Sequence, residues 1–289
     1  MTSITPLTPS QLTTLSRPSS PLQVAWATFI KNLQIARRYL PNLLGGLVEI
    51  AIRAAFFMLM ANAVSLKAMG VLGRELSGRE LFIFFQGSLL LFIFTRSTLW
   101  GPINAVSNDL YNGTLEYLYS LPASRYAYYV DTVLAEVAQG MIVFLPLYLL
   151  LVITSQASPL NMLMVLLAGA LTLAALTCLG ILIALLALVW RQVGSIASVL
   201  GILFELLAGA YLPVTAFPLP VQYLAYLLPY TWGYDLVRYY ALSGRWPTLL
   251  PVWQEWTCLA VFGLVYLALS RYLLGKAELM AKKTGLHII

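Results

Sequence analysis

GAYLPVTAFPLPVQYLAYLLPYTWGYDLVRYYALSG, running from Gly209 to Gly244, is too broken by proline to be one membrane span and too apolar to be a soluble loop. Pro213, Pro218, Pro220 and Pro229 each lack the amide donor that a helix interior needs and clash with the preceding turn, so the stretch cannot be one continuous helix. Irregular backbone at membrane depth persists only where protein or a wet cavity covers it. The segment therefore reads as a helical hairpin that dips into a bilayer and returns.

The rest of the chain supports a lipid setting. Hydrophobic residues make up 60% of the 289 and charged residues 10%, with a mean hydropathy of +0.83. That leaves too little polar surface to cover a soluble globule. No charge occurs between Glu136 and Arg191, and the polar patch Thr154 to Pro159 divides this stretch into two spans. Apolar windows of roughly 20 residues predict six spans, near 42–66, 81–103, 129–153, 160–189, 195–212 and 252–273. The fourth run is long enough that its helix must tilt or protrude past the lipid. The expected fold class is an all-α polytopic membrane protein: six transmembrane helices, an N-terminal interfacial helix, and an extracytoplasmic re-entrant helical hairpin between spans five and six.

Residues 1–21, rich in Ser, Thr and Pro, read as a disordered cytoplasmic tail without the basic start and apolar run of a secretory signal. Over 22–40, Leu22, Trp26, Phe29, Ile30, Leu33 and Leu40 share one helical face, and Gln23, Lys31, Gln34 and Arg38 share the other. This predicts an amphipathic helix in the inner interface, or else the cytoplasmic start of span one; Pro41 favours a break between the two. Residues 41–275 form the six-span domain, with a cytoplasmic loop at 104–128 and the re-entrant segment at 213–251. Residues 276–289 read as a cytoplasmic tail.

Orientation follows from the basic residues. With both termini cytoplasmic, ten Lys and Arg lie inside (Arg17, Lys31, Arg37, Arg38, Arg125, Arg191, Arg271, Lys276, Lys282 and Lys283) and five outside (Lys67, Arg74, Arg79, Arg238 and Arg245). The positive-inside rule selects that topology. The net charge of +6 is accounted for by these anchors against anionic membrane lipids, so no nucleic acid is implied as a partner.

Several chemistries are excluded. Cys178 and Cys258 lie in apolar runs and the single histidine is His287, which leaves no ligand set for a metal. No phosphate-binding loop exists: Gly275, Lys276 and Ala277 come nearest, but Ser270 stands where the upstream glycine belongs and no Ser or Thr follows the lysine. No catalytic set of Ser, His and Asp can be assembled. Site residues for catalysis and cofactors in this chain are therefore none.

Between spans two and three the loop reads NDLYNGTLEYLYSLPASRYAYYVD, Asn108 to Asp131. Asn112 and Gly113 mark a turn, and Thr114 can cap a short helix whose apolar side is Leu115, Leu118, Tyr119 and Leu121, ended by Pro122. Such a helix suits a groove on another protein, and a plain connecting loop is the alternative.

The run Gly113, Thr114, Leu115, Glu116, Leu118 and Pro122, followed by Gly209, Pro213, Pro220, Pro229, Asp235, Arg238 and Gly244, resembles the membrane subunit of a type-2 ATP-binding-cassette exporter, over roughly residues 22–275. The resemblance implies a permease in the bacterial cytoplasmic membrane that pairs with a second permease subunit, as homodimer or heterodimer, and with separate ATPase subunits that hold ATP and Mg. It implies that 108–122 is the coupling helix on the ATPase and that 213–245 closes the outer end of the route, with Pro213, Pro220, Pro229, Tyr230, Asp235 and Arg238 as gate residues. Asp109 lies four residues before Gly113 instead of beside it, a departure from the family pattern.

Buried charges mark a second candidate site, because an ionised group in lipid must face protein or water. Glu49 and Arg53 are four apart on one helical face. At ~1.5 Å per residue from the inner end, Glu49 lies about 10 Å deep, Arg53 about 16 Å, Arg96 about 8 to 10 Å and Glu205 about 15 Å. These depths predict two pairs, Glu49 with Arg96 and Arg53 with Glu205. The pairs are structural glue first and a polar route for an anionic or zwitterionic substrate second. Tyr211, Phe217, Tyr223, Tyr226, Tyr230, Trp232, Tyr234, Tyr239, Tyr240 and Trp246 read as a belt at the lipid headgroups or, alternatively, as an aromatic gate. Asp235 and Arg238, three apart, are expected to pair with each other. The cargo expected of such apolar spans is amphipathic, drug-like or lipid-like. A lipid-linked polysaccharide is the alternative within transport, and a membrane enzyme or a channel without an ATPase is the alternative outside it.

Overall fold

The computed structural model describes residues 30, 34, 40–63, 77–111, 113, 125–189 and 193–284. It is all helical, with no strand among the described residues. In chain order the helices are α1 (Leu40–Ala63), α2 (Gly78–Tyr111), α3 (Arg125–Ser155), α4 (Pro159–Val189), α5 (Val193–Leu207), α6 (Leu219–Tyr226), α7 (Pro229–Ala241) and α8 (Val252–Thr284), with a 3-10 turn at Val214–Ala216 before α6.

Helix starts are written in the local sequence. Ser77 and Glu80 form a reciprocal cap on α2: the Ser77 N–H donates to Glu80 Oε2 (2.9 Å) and the Glu80 N–H to Ser77 Oγ (3.3 Å). Ser158 caps α4 by accepting from the Asn161 N–H at 3.2 Å, with Pro159 in the first position, where a missing amide costs nothing. Pro220 in the first turn of α6 and Pro229 at the first position of α7 are placed in the same way, with Pro218 as the N-cap of α6.

Among the described residues, three helices, over Gly78–Asn104, Pro159–Leu185 and Val252–Lys276, are long and apolar enough to cross a membrane. A fourth crossing is available if the two parts of α3, Tyr128–Ala138 and Gly140–Ser155, count as one span bent by 50°. The bend falls at Gln139, just before Gly140, where a Cβ would lie 2.9 Å from Ile93 Cγ2 on α2, so α3 comes close to its neighbour there.

α2 is the axis of the bundle, since 94% of its span is buried, against 17% for α8. Its Ser88, Thr95, Ser97 and Thr98 hydroxyls donate to the carbonyls of Phe84, Leu91, Ile93 and Phe94 one turn back, which satisfies polar groups where no water reaches. α4 crosses it at Gly169 and Gly180, the latter against the Thr98 backbone with no room for a side chain. The outer faces of α1, α3, α4 and α8 carry exposed Leu59, Ile153, Leu160, Val261 and Leu264, an apolar coat fit for lipid.

Some expected boundaries move. α2 runs on to Tyr111 instead of ending at 103, because a proline bonded into an already long helix, Pro102, does not stop it and the first true breaker is the turn at Gly113. The loop expected over 104–128 is therefore shorter at both ends, since α3 begins at Arg125. α8 continues past Gly275 to Thr284 through the good helix formers of AELMAKK. α5 stops at Leu207 instead of continuing to 212.

Candidate functional site

The end of α5 explains much of the site. Gly209 takes φ +88°, the Ala210 N–H returns to the Glu205 carbonyl (3.0 Å) and the Gly209 N–H to that of Leu206 (3.2 Å), a left-handed glycine cap that terminates the helix. A Cβ at Gly209 would meet Val214 Cγ2 at 2.9 Å, so only glycine fits. The carbonyls beyond the cap are met by Arg238 of α7, whose Nη2 donates to Gly209 O (2.7 Å), Ala210 O (3.3 Å) and Ser88 Oγ on α2 (2.6 Å). Its guanidinium lies 3.6 Å over the Phe84 ring. A cation at a helix C-terminus meets the negative end of the dipole, so Arg238 joins α2, α5 and α7 through carbonyls and a hydroxyl, with no direct salt bridge.

Asp235 does not pair with Arg238, contrary to the expectation from their spacing. Its Oδ1 accepts from Trp246 Nε1 (2.5 Å) and its Oδ2 from the Leu249 N–H (2.8 Å), so it folds the loop after α7 back onto the bundle. The neighbouring Leu250 N–H donates to Glu255 Oε1 (3.1 Å), and the Glu255 carboxyl is within hydrogen-bond reach of Asp235. A small cavity of about 110 Å3 lies against Asp235, Arg238, Thr231 and Trp246.

α7 is buried among α2, α4 and α8, and this corrects the reading of the aromatics as a lipid belt. Tyr230, Trp232, Tyr234 and Trp246 are closed into protein, while Tyr223 is exposed. Trp232 Nε1 donates to the Tyr226 carbonyl (3.1 Å) and stacks on its ring. Gly233 is what lets α7 seat so deeply: a Cβ there would collide with the Thr172 side chain of α4. Pro213 precedes the 3-10 turn and is buried, Pro220 lies exposed in the first turn of α6, and Pro229 opens α7.

A second cluster lies on α1 and α5. Arg53 Nη1 is 3.4 Å from Glu205 Oε2 and donates to Tyr211 Oη at 3.0 Å, and Tyr211 Oη donates to Glu205 Oε2 at 3.1 Å. Glu49 Oε1 lies 3.6 Å from Arg53 Nε on the other side. The guanidinium stands 3.8 Å over the Phe92 ring of α2. The depth count brought Arg53 and Glu205 together, and the structure does so too. It also gives Glu49 an ion pair with Arg53, while the Arg96 side chain lies outside the described residues. Glu205 is buried, whereas Arg53 and Glu49 are partly open at 28% and 40%.

Gly113 follows α2 directly, with φ +67°, exposed and with nothing within 4 Å of a Cβ. Thr114, Leu115, Glu116, Leu118 and Pro122 lie outside the described residues, as does the expected interfacial helix except Ile30 and Gln34, both helical and exposed, and Leu40, which begins α1. Tyr211, Ser88, Trp246 and Glu255 enter the site without having been singled out for these roles. Only Glu255 carried a signal that could have found it: an acid at the head of an otherwise apolar run.

The family model for the ABC-2 type transporter matches residues 23–242, more than half of the chain. The chain belongs to the ABC-2 type transporter family. It is thus the permease, the membrane subunit of an ABC transporter, and a multi-pass membrane protein. The match covers the turn at Gly113, the ion cluster of this ABC-2 permease and all of α7. No curated protein matches it.

Proposed function

We propose that this chain is the permease of an exporter for amphipathic, drug-like or lipid-like molecules, powered by separate ATPase subunits that hold ATP and Mg. Two permease subunits surround the route, both termini are cytoplasmic, α1 to α5 and α8 are the six spans, and α6 with α7 is the re-entrant hairpin. The membrane is the bacterial cytoplasmic one. The segment from Gly113 to Pro122 docks on the ATPase, whose closure on ATP is passed to the spans as a rigid-body rocking between two accessible faces.

The observation that carries the substrate class is the open face of α1 and α5. Val48, Ile52, Phe56, Val199, Ile202 and Leu206 stand exposed around the half-open Glu49, Arg53 and Glu205 cluster. An apolar wall with one charged point complements a greasy molecule with one polar head. Tyr230, Trp232, Tyr234 and Trp246, rings that a saccharide channel would expose, are spent instead on packing α7, which supports the amphipathic cargo.

Affinity purification of the full-length chain from its own cells tests the assembly. An ATPase retained by the wild type and lost with Leu115→Asp and Leu118→Asp supports it, and a lone, transport-competent permease overturns it. With that ATPase reconstituted, Arg53→Ala should lower transport of an amphipathic dye more than it lowers ATP hydrolysis; equal loss of both would sink the substrate assignment.

A further inference from the structure

A cavity of about 480 Å3 opens where the start of α2, the α3–α4 turn and the end of α7 meet, lined by Ser77, Arg79, Glu80, Gln156, Ser243 and Arg245 among others. Its walls are held by backbone. Arg79 Nε donates to the Thr154 carbonyl at 2.8 Å, which fixes that guanidinium at the rim. Ser243 takes φ +53°, with its N–H on Tyr240 O (3.1 Å) and the Gly244 N–H on Tyr239 O (2.8 Å), a cap that turns the chain towards Arg245. Glu80 is tied to the Ser77 amide and hydroxyl at the helix start. Two guanidiniums thus share a polar hollow with one acid that already serves as a cap.

Immediately beside the hollow the surface turns apolar. Ile153 and Leu160, flanking the α3–α4 turn, are 72% and 63% exposed, and Leu149 and Leu163 continue the stripe one turn further on. A cationic hollow above a greasy stripe matches a molecule with an anionic head and acyl chains. Guanidinium is the side chain that grips phosphate oxygens in pairs.

We propose that this hollow binds the phosphate of an anionic phospholipid between Arg79 and Arg245, with its acyl chains along Ile153 and Leu160. On the orientation proposed above, which this inference uses, the site faces the outer leaflet. It is separate from the ion cluster on α1 and α5.

The test is native mass spectrometry of the full-length chain in uncharged detergent, titrated with phosphatidylglycerol or phosphatidylcholine. Two guanidinium contacts at a partly open mouth should favour phosphatidylglycerol about tenfold. Arg79→Gln with Arg245→Gln should abolish the preference, and the double Lys variant should keep part of it. Gln156→Asp places a negative charge in the hollow at a left-handed position that aspartate tolerates, removes none of the contacts above, and should weaken retention too. Equal retention by wild type and both charge variants overturns the site. Full displacement by inorganic phosphate overturns the lipid assignment in favour of a free anion. Because neither ATPase nor transport is involved, these outcomes are independent of the exporter reading. Labelling of Gln156→Cys from outside intact cells tests the orientation by itself, and labelling only after permeabilisation refutes the outer-leaflet placement.

Discussion

Replacing Arg238 should reveal what a fully buried cation does when no salt bridge holds it and the nearby Asp235 is bonded elsewhere. Two short hydrogen bonds, to Ser88 Oγ at 2.6 Å and Gly209 O at 2.7 Å, join a guanidinium stacked 3.6 Å over Phe84. Charge-assisted bonds contribute about 1.5–3 kcal/mol each, and a desolvated cation–π contact adds about 2 kcal/mol. Burial of the charge takes back several kcal/mol. Arg238→Met removes both sides of this balance and orphans the Gly209 carbonyl, for a net loss of about 1–3 kcal/mol. Arg238→Lys keeps the buried charge but loses the planar fork and the stacking, for a loss of about 3–5 kcal/mol. The conservative change should therefore be the worse one. At ~2–4 °C per kcal/mol, the melting temperature in detergent, followed by tryptophan fluorescence, should fall by about 2–12 °C for Met and by about 6–20 °C for Lys. A lysine variant that melts above the methionine variant would refute the argument, as would shifts under about 2 °C for both.

Arg53→Glu alone should destabilise by about 2–4 kcal/mol by facing the buried Glu205 with a like charge, and adding Glu205→Arg should return at least half of it in the same melting assay. Gly233→Ala should cost about 1–3 kcal/mol by pushing Thr172 aside, and Thr172→Ala on the same chain should relieve most of that loss; failure of the rescue would place the strain elsewhere. Glu255→Gln keeps a side-chain oxygen for the Leu250 N–H, so it should melt within about 2 °C of wild type, while Glu255→Ala, which orphans that amide and opens a cavity, should lose about 2 kcal/mol.

How much of this was legible beforehand depended on range. Helix starts at Ser77, Ser158 and Pro229 are local events, and the prolines of 213–229 announced that the chain breaks there. Arg53 and Glu205 lie far apart in sequence, yet depth counting joined them, because a charge in lipid has few places to find its opposite. Asp235 and Arg238 defeated the same kind of reasoning. Their i, i+3 spacing offered a local pair, but the backbone amide of Leu249 and the carbonyl of Gly209 compete for them, and no periodicity displays those partners. The aromatic rings misled for a related reason: Tyr and Trp suit headgroups and protein interiors equally well, and only the glycine contact at Gly233 shows that α7 sinks among its neighbours. The extension of α2 past Pro102 was hidden because a proline signals a stop unless the surrounding helix is already held.

The bend beside Gly140 has a mechanical consequence. With α5 clamped to α7 and α2 through one guanidinium, the half of the bundle around Arg238 has little freedom to shear. The break beside the glycine in α3 is where this long rod already changes direction, against Ile93 of α2. Movement entering at the Arg125 end of that rod would reach the far surface as a change of angle, with the clamp as its fulcrum.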